Sequence, residues 1–256
     1  MSGAPLLETH GLSKLFRRGK GVSVKAVDNI SIRVFPGEIF GIVGESGSGK
    51  STLARLALRL IEPDEGRITL GGRNISAMKR RELLKCRRSM QMIFQNPLSS
   101  FNPRLKIGAA LREVCAYYAF SAAETNEKLE NLIAVIGLRN DVLACRPGEL
   151  SGGQLQRLAI ARALICEPAL LIADEPVSAL DVSIQAQLLN LFADLQKNLS
   201  LTMIFISHDM SVIEHLCDRV AVMQHGKVVE EGLIRDVFQN PKAEYTKRLL
   251  AAAPKW

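Results

Sequence analysis

The sequence predicts an α/β fold: a mostly parallel sheet as the core, an antiparallel β subdomain at the N-terminus, and an inserted α-helical subdomain. Three observations lead there. Alternating, β-branched runs fill residues 6–35. Short apolar strands then alternate with helical periods, which implies parallel strands joined by crossover helices. Between residues 96 and 166 the strand-like runs give way to helical periodicity.

The elements follow in order. Residues 6–16 and 25–35 read as strands of the antiparallel sheet. Pro36-Gly37 marks a turn, and residues 38–43 form a short apolar strand. A glycine-rich loop leads into a helix over 51–60, with further strands at 66–72 and 90–94. Pro97, Pro103 and Pro147-Gly148 punctuate the edges of the helical insertion. A helical stretch covers 155–164, and strands resume at 170–173, 202–206 and 219–223. Between the first two of these, residues 182–199 are helical, because Leu188, Leu191, Phe192 and Leu195 recur at i, i+3, i+4 and i+7.

Composition narrows the function classes. With 47% hydrophobic residues in 256, the chain can bury a sizeable core. No run reaches the ~18 apolar residues that a membrane span needs. The first residues lack the basic-then-apolar design of an export signal, so a cytoplasmic location is expected. Five scattered cysteines with no C-x-x-C pair favour inert thiols over a disulfide framework or a zinc site. A net charge of +7 is mild for this length and does not by itself indicate nucleic acid or lipid.

The strongest local signal is Gly44-Glu45-Ser46-Gly47-Ser48-Gly49-Lys50-Ser51, followed by Thr52. Its pattern, G-x-x-x-x-G-K-[ST] between an apolar strand and a helix, lets backbone N–H groups wrap a phosphate chain at a helix N-terminus. Lys50 is placed to neutralise the β- and γ-phosphates of ATP, and Ser51 to ligate Mg²⁺. The apolar run ending in Asp174-Glu175 supplies two carboxylates at a strand end. Asp174 suits Mg²⁺, and Glu175 suits a general base for the attacking water. Ser151 can cap the helix that follows it, while Gly152-Gly153 exposes N–H groups at that helix's positive end. Physical chemistry alone leaves a plain cap and an anion-binding surface equally open there.

In this order, Lys50, Gln95, Leu150–Gln154, Asp174-Glu175, Ser178-Ala179-Leu180-Asp181 and His208 resemble the ATP-binding cassette (ABC) ATPases, over nearly the whole chain. The family terms are Walker A, Q-loop, signature, Walker B, D-loop and switch histidine. The resemblance implies a P-loop NTPase core of RecA-like type. It implies an organisation into residues 1–95 and 167–239 as ATP-binding core, 96–166 as helical subdomain and 240–256 as a tail. Two cassettes are expected head to tail, with Ser151, Gly152, Gly153 and Gln154 gripping the γ-phosphate held by the partner. Phe16 matches the aromatic that stacks on adenine. Gln95 is implied to sense Mg²⁺ and the attacking water, His208 to contact the γ-phosphate, and Asp181 to organise the dimer interface.

Further segments resemble the oligopeptide, dipeptide and nickel importer group: the run from Gln95 to Arg104, Pro176 after the acidic pair, and Asn240-Pro241 with Tyr245-Thr246 and Pro254. Val177 departs from the threonine of many relatives. That likeness implies a peripheral subunit on the cytoplasmic face of the bacterial inner membrane. Its expected partners are two transmembrane permeases, a second similar ATPase (a heterodimer favoured) and a solute-binding protein. The expected cargo is a peptide, nickel, an opine or a metal chelate. Tyr117, Tyr118 and Phe120 are candidates for the permease dock, although core packing explains them more simply. The sequence ends before any cysteine-rich extension, so no iron–sulfur cluster is expected. The rival is a non-transport ABC ATPase acting on nucleic acid or ribosomes. Against it, the stretch between Gln95 and Leu150 is too short for a long coiled coil, and there is one cassette.

Overall fold

In the computed structural model, residues 3–18 and 22–252 are described. The antiparallel part comprises β1 (Leu7–Arg18), β2 (Val22–Ile30) and β3 (Arg33–Val34). The chain continues through β4 (Ile39–Val43), α1 (Lys50–Ala57), β5 (Glu65–Leu70), β6 (Arg73–Asn74), α2 (Arg80–Cys86) and β7 (Met90–Ile93). Three helices follow, α3 (Ile107–Tyr117), α4 (Ala122–Val135) and α5 (Gly152–Leu164). The remainder runs β8 (Leu170–Asp174), α6 (Val182–Leu199), β9 (Thr202–Ser207), α7 (Met210–Leu216), β10 (Arg219–Gln224), β11 (Lys227–Leu233), α8 (Ile234–Gln239) and α9 (Glu244–Ala252).

One sheet orders its strands β2-β1-β5-β6, with β3 also on β1, all antiparallel. The other runs β11-β10-β4-β9-β8-β7 and is parallel except for β11. Its central strands are apolar along their length because both faces are covered. Phe40, Ile42, Leu170, Ile172, Ile204 and Ile206 pack towards the antiparallel sheet and α1. Their alternates Ile39, Val43, Leu171, Ala173, Met203 and Phe205 share a cluster with Leu111, Leu129, Leu158 and Phe192 from the helices. Successive strand residues point to opposite faces, which places one strand in two cores.

Two expected elements differ. The strand expected over 25–35 is broken, because β1 changes partner along its length. The Thr9 hydroxyl donates to Ile30 O and accepts the Ile32 N–H, bridging the gap between β2 and β3. The helix expected over 51–60 ends at Ala57, and Arg59 takes a left-handed φ of 49° with its N–H on Leu56 O. Strand β11 and helices α2, α7 and α8 were not among the expected elements. Pro254 lies outside the described residues.

The register explains where a site can form. Val43 of β4 lies beside Ser207 of β9, and Asp174 of β8 beside Ile206. Ile93 of β7 pairs with Ala173. Gly44, Gln95, Glu175 and His208 therefore leave the carboxyl edge of four adjacent strands together, where ligand crevices of parallel sheets lie.

Candidate nucleotide site

The loop from Gly44 to Gly49 joins β4 to α1. Two of its glycines are dictated by close approach. A Cβ on Gly44 would fall 2.1 Å from Met223 O, and one on Gly49, whose φ is 105°, would fall 2.1 Å from Ala26 O. The loop is thus pressed against neighbouring backbone on its outer side. On the inner side Lys50 Nζ donates to Gly44 O at 2.7 Å and Glu45 O at 2.9 Å, and lies 3.9 Å from Glu175 Oε1. Lys50 is only 4% exposed. Burial pushes its ammonium below the usual lysine range, while Glu175, Asp174 and Glu45 oppose that shift. The N–H groups of the first turn of α1 have no intrahelical partner, as in any helix, and among the described residues no side chain caps them. Among the described residues the buried Ser48 hydroxyl also finds no partner. Free donors at the positive end of a helix, with a buried cation beside them, fit a phosphate chain.

The carboxylates face this loop. Ser51 Oγ donates to Asp174 Oδ1 at 2.8 Å. Burial holds Asp174 above the usual carboxylate range, and the Ser51 hydrogen bond works against it. Glu175 sits just past β8 in a left-handed conformation, φ 48°, with its N–H on Ile206 O. Its Oε2 accepts from Gln95 Nε2 at 3.1 Å and lies 3.3 Å from His208 Nδ1. Lys50, Gln95 and His208 thus converge on the Glu175 carboxylate, each from a different strand end. Ser178, not assigned a site role from sequence, tightens this corner. Its hydroxyl donates to Glu175 O and receives the second Gln95 contact at 3.4 Å.

The remaining candidates lie apart from that cluster. Ser151 caps α5, accepting the Gln154 N–H while its own N–H donates to Gln154 Oε1. A Cβ on Gly152 would approach Leu180 to 3.2 Å, and one on Gly153 would approach Ile184 Cγ2 to 2.7 Å. The glycine pair therefore sits against the segment headed by Asp181, whose carboxylate caps α6 by accepting the Ile184 N–H. Among the described residues, no hydrogen bond or ion pair joins Ser151–Gln154 to Lys50 or the carboxylates. Phe16, on β1 opposite Val24, is 40% exposed with Lys14 Nζ 5.8 Å from its ring centre. Tyr117 is 68% exposed, so core packing does not account for it. One contact had no local signal at all: the Glu45 N–H donates to the hydroxyl of Tyr245, 200 residues away in α9.

The chain matches the ABC transporter family over residues 27–178. It is 45% identical to the oligopeptide transport ATP-binding protein OppF of Streptococcus mutans, over 97% of this chain and 82% of that protein. It is 46% identical to OppF of Haemophilus influenzae, over 92% of this chain and 71% of that protein. Among solved structures it resembles a dimeric ATP-binding cassette, MJ0796, in a post-hydrolysis state bound to ADP and Pi. The TM-score is 0.81 at 28% identity, covering 90% of this chain and 99% of that one. The chain belongs to the ABC transporter family as an ATP-binding, ATP-hydrolysing subunit.

Proposed function

We propose that this subunit powers peptide uptake from the cytoplasmic face of the bacterial inner membrane, by closing on ATP together with a second, similar ATPase. The observation that carries the hydrolytic part is the Glu175 carboxylate, set beside Lys50 and engaged by Gln95 and His208. The triphosphate binds the uncapped end of α1, where Lys50 neutralises charge on the β- and γ-phosphates. Glu175 accepts the proton of the attacking water, held in position by Gln95, while His208 orients the γ-phosphate. The hydroxyl of Ser51, the carboxylate of Asp174 and the amide oxygen of Gln95 are hard oxygen donors that suit Mg²⁺. The ion would neutralise charge on the β- and γ-phosphate oxygens.

Ser151, Gly152, Gly153 and Gln154 present the α5 N-terminus to the partner's nucleotide, and Asp181 lies at the joint between the two chains. Phe16 serves as the adenine platform. Residues 96–166 act as the helical subdomain that meets the permeases, with the exposed Tyr117 at that dock. The names of the OppF relatives support peptide as the cargo and permease chains as partners.

The test is reconstitution of the subunit with its copurifying permease chains in liposomes. ATP turnover should rise with a peptide-loaded binding protein, and Glu175→Gln should abolish both turnover and uptake. Stimulation by DNA or ribosomes, with none by peptide, would overturn the importer reading.

A further inference from the structure

Helix α9 reaches the phosphate loop from outside. The Glu230 carboxylate seats its entry, accepting the Lys242 N–H at 2.8 Å and the Ala243 N–H at 3.0 Å. Tyr245, two residues further and 5% exposed, accepts the Glu45 N–H on its hydroxyl at 3.0 Å. The carbonyl of the same peptide group, Gly44 O, accepts from Lys50 Nζ at 2.7 Å. The N–H and C=O of a trans peptide point opposite ways within one plane. That plane is therefore gripped at both ends, by the lysine within the loop and by the tyrosine outside it. Rotating it would withdraw the carbonyl from Lys50 and reshape the loop. Resting on the phosphate-loop reading above, we propose that Tyr245 is a positioning residue for nucleotide binding, holding the Gly44–Glu45 peptide so that the loop keeps its phosphate-accepting shape. It touches no reacting atom. Its hydroxyl joins the C-terminal helix directly to the nucleotide site.

Tyr245→Phe removes only that oxygen. In the purified full chain, ATP affinity measured by calorimetry should fall about three- to tenfold, as expected for one lost hydrogen bond. The KM for ATP should rise in step, with kcat little changed. Hydrogen exchange should speed up at the Glu45 amide while β4 and α1 keep their protection. Glu230→Ala, which unseats α9, should weaken binding similarly and add little in the Tyr245→Phe background. Wild-type affinity in Tyr245→Phe overturns the proposal. So does full additivity of the two changes, or a general loss of protection across β4 and α1. Lys50→Ala separates the levels. If it cripples ATP binding while Tyr245→Phe is silent, only the tyrosine assignment falls; if Lys50→Ala binds ATP normally, the loop reading falls with it.

Discussion

Glu175 is constrained twice, once through a backbone in a region that non-glycine residues seldom occupy and once through a carboxylate shared by Gln95 and His208. Strain of this kind costs about 1–3 kcal/mol and persists where surroundings enforce it. Glu175→Gln keeps the shape but loses the base. It should lower turnover by about 10²–10⁴ while ATP still binds, checked by steady-state kinetics beside calorimetry. Asp174 gives a second prediction. Burial raises its folded pKa above the unfolded value, so its charge destabilises the fold at pH values above that raised pKa. The penalty fades as pH falls through it and the folded carboxyl takes up its proton. Without nucleotide, Asp174→Asn should therefore melt about 2–4 °C higher at neutral pH, a gap that closes in acid on thermal scans. The phosphate loop was legible because its residues are contiguous. The convergence on Glu175 was not, since Gln95 lies 80 residues away and only the resemblance joined them.

The helix ends carry much of the arrangement. Asp181 caps α6 and Ser151 caps α5, and the glycines after Ser151 let the two segments approach. Asp181→Ala should cost about 1 kcal/mol of stability in denaturant titrations, the usual worth of an N-cap. In Gly153→Ala the new methyl would press on the branched Ile184 side chain at the distance given above. It should disturb the packing of α5 on α6, visible as a lower melting temperature. In sequence, long apolar periods such as α6 and the buried runs of β4, β8 and β9 announced themselves. The break between β2 and β3 did not, because it follows from the change of partner along β1 and nothing in the local pattern marks Thr9, whose hydroxyl bridges it. The contact that α9 makes was not legible for a related reason: a tyrosine in a short amphipathic stretch looks like ordinary packing until its distant partner is known.

At the level of the whole molecule, among the described residues, the nucleotide cluster and the α5 cap share no hydrogen bond or ion pair. If the cap serves a second chain's nucleotide, Ser151→Ala should leave ATP affinity of the isolated subunit unchanged. Turnover of the assembled complex should fall at least about tenfold, read by comparing calorimetry with ATPase rates. The alternation of the parallel strands makes the sheet the common wall between the antiparallel part and the helices. The doubly engaged Glu175 oxygen has a last consequence. Gln95 comes from beyond β7 and His208 from beyond β9, so one oxygen of the base is tied to strand ends on both sides of β8, and a shift of either neighbour would tilt it.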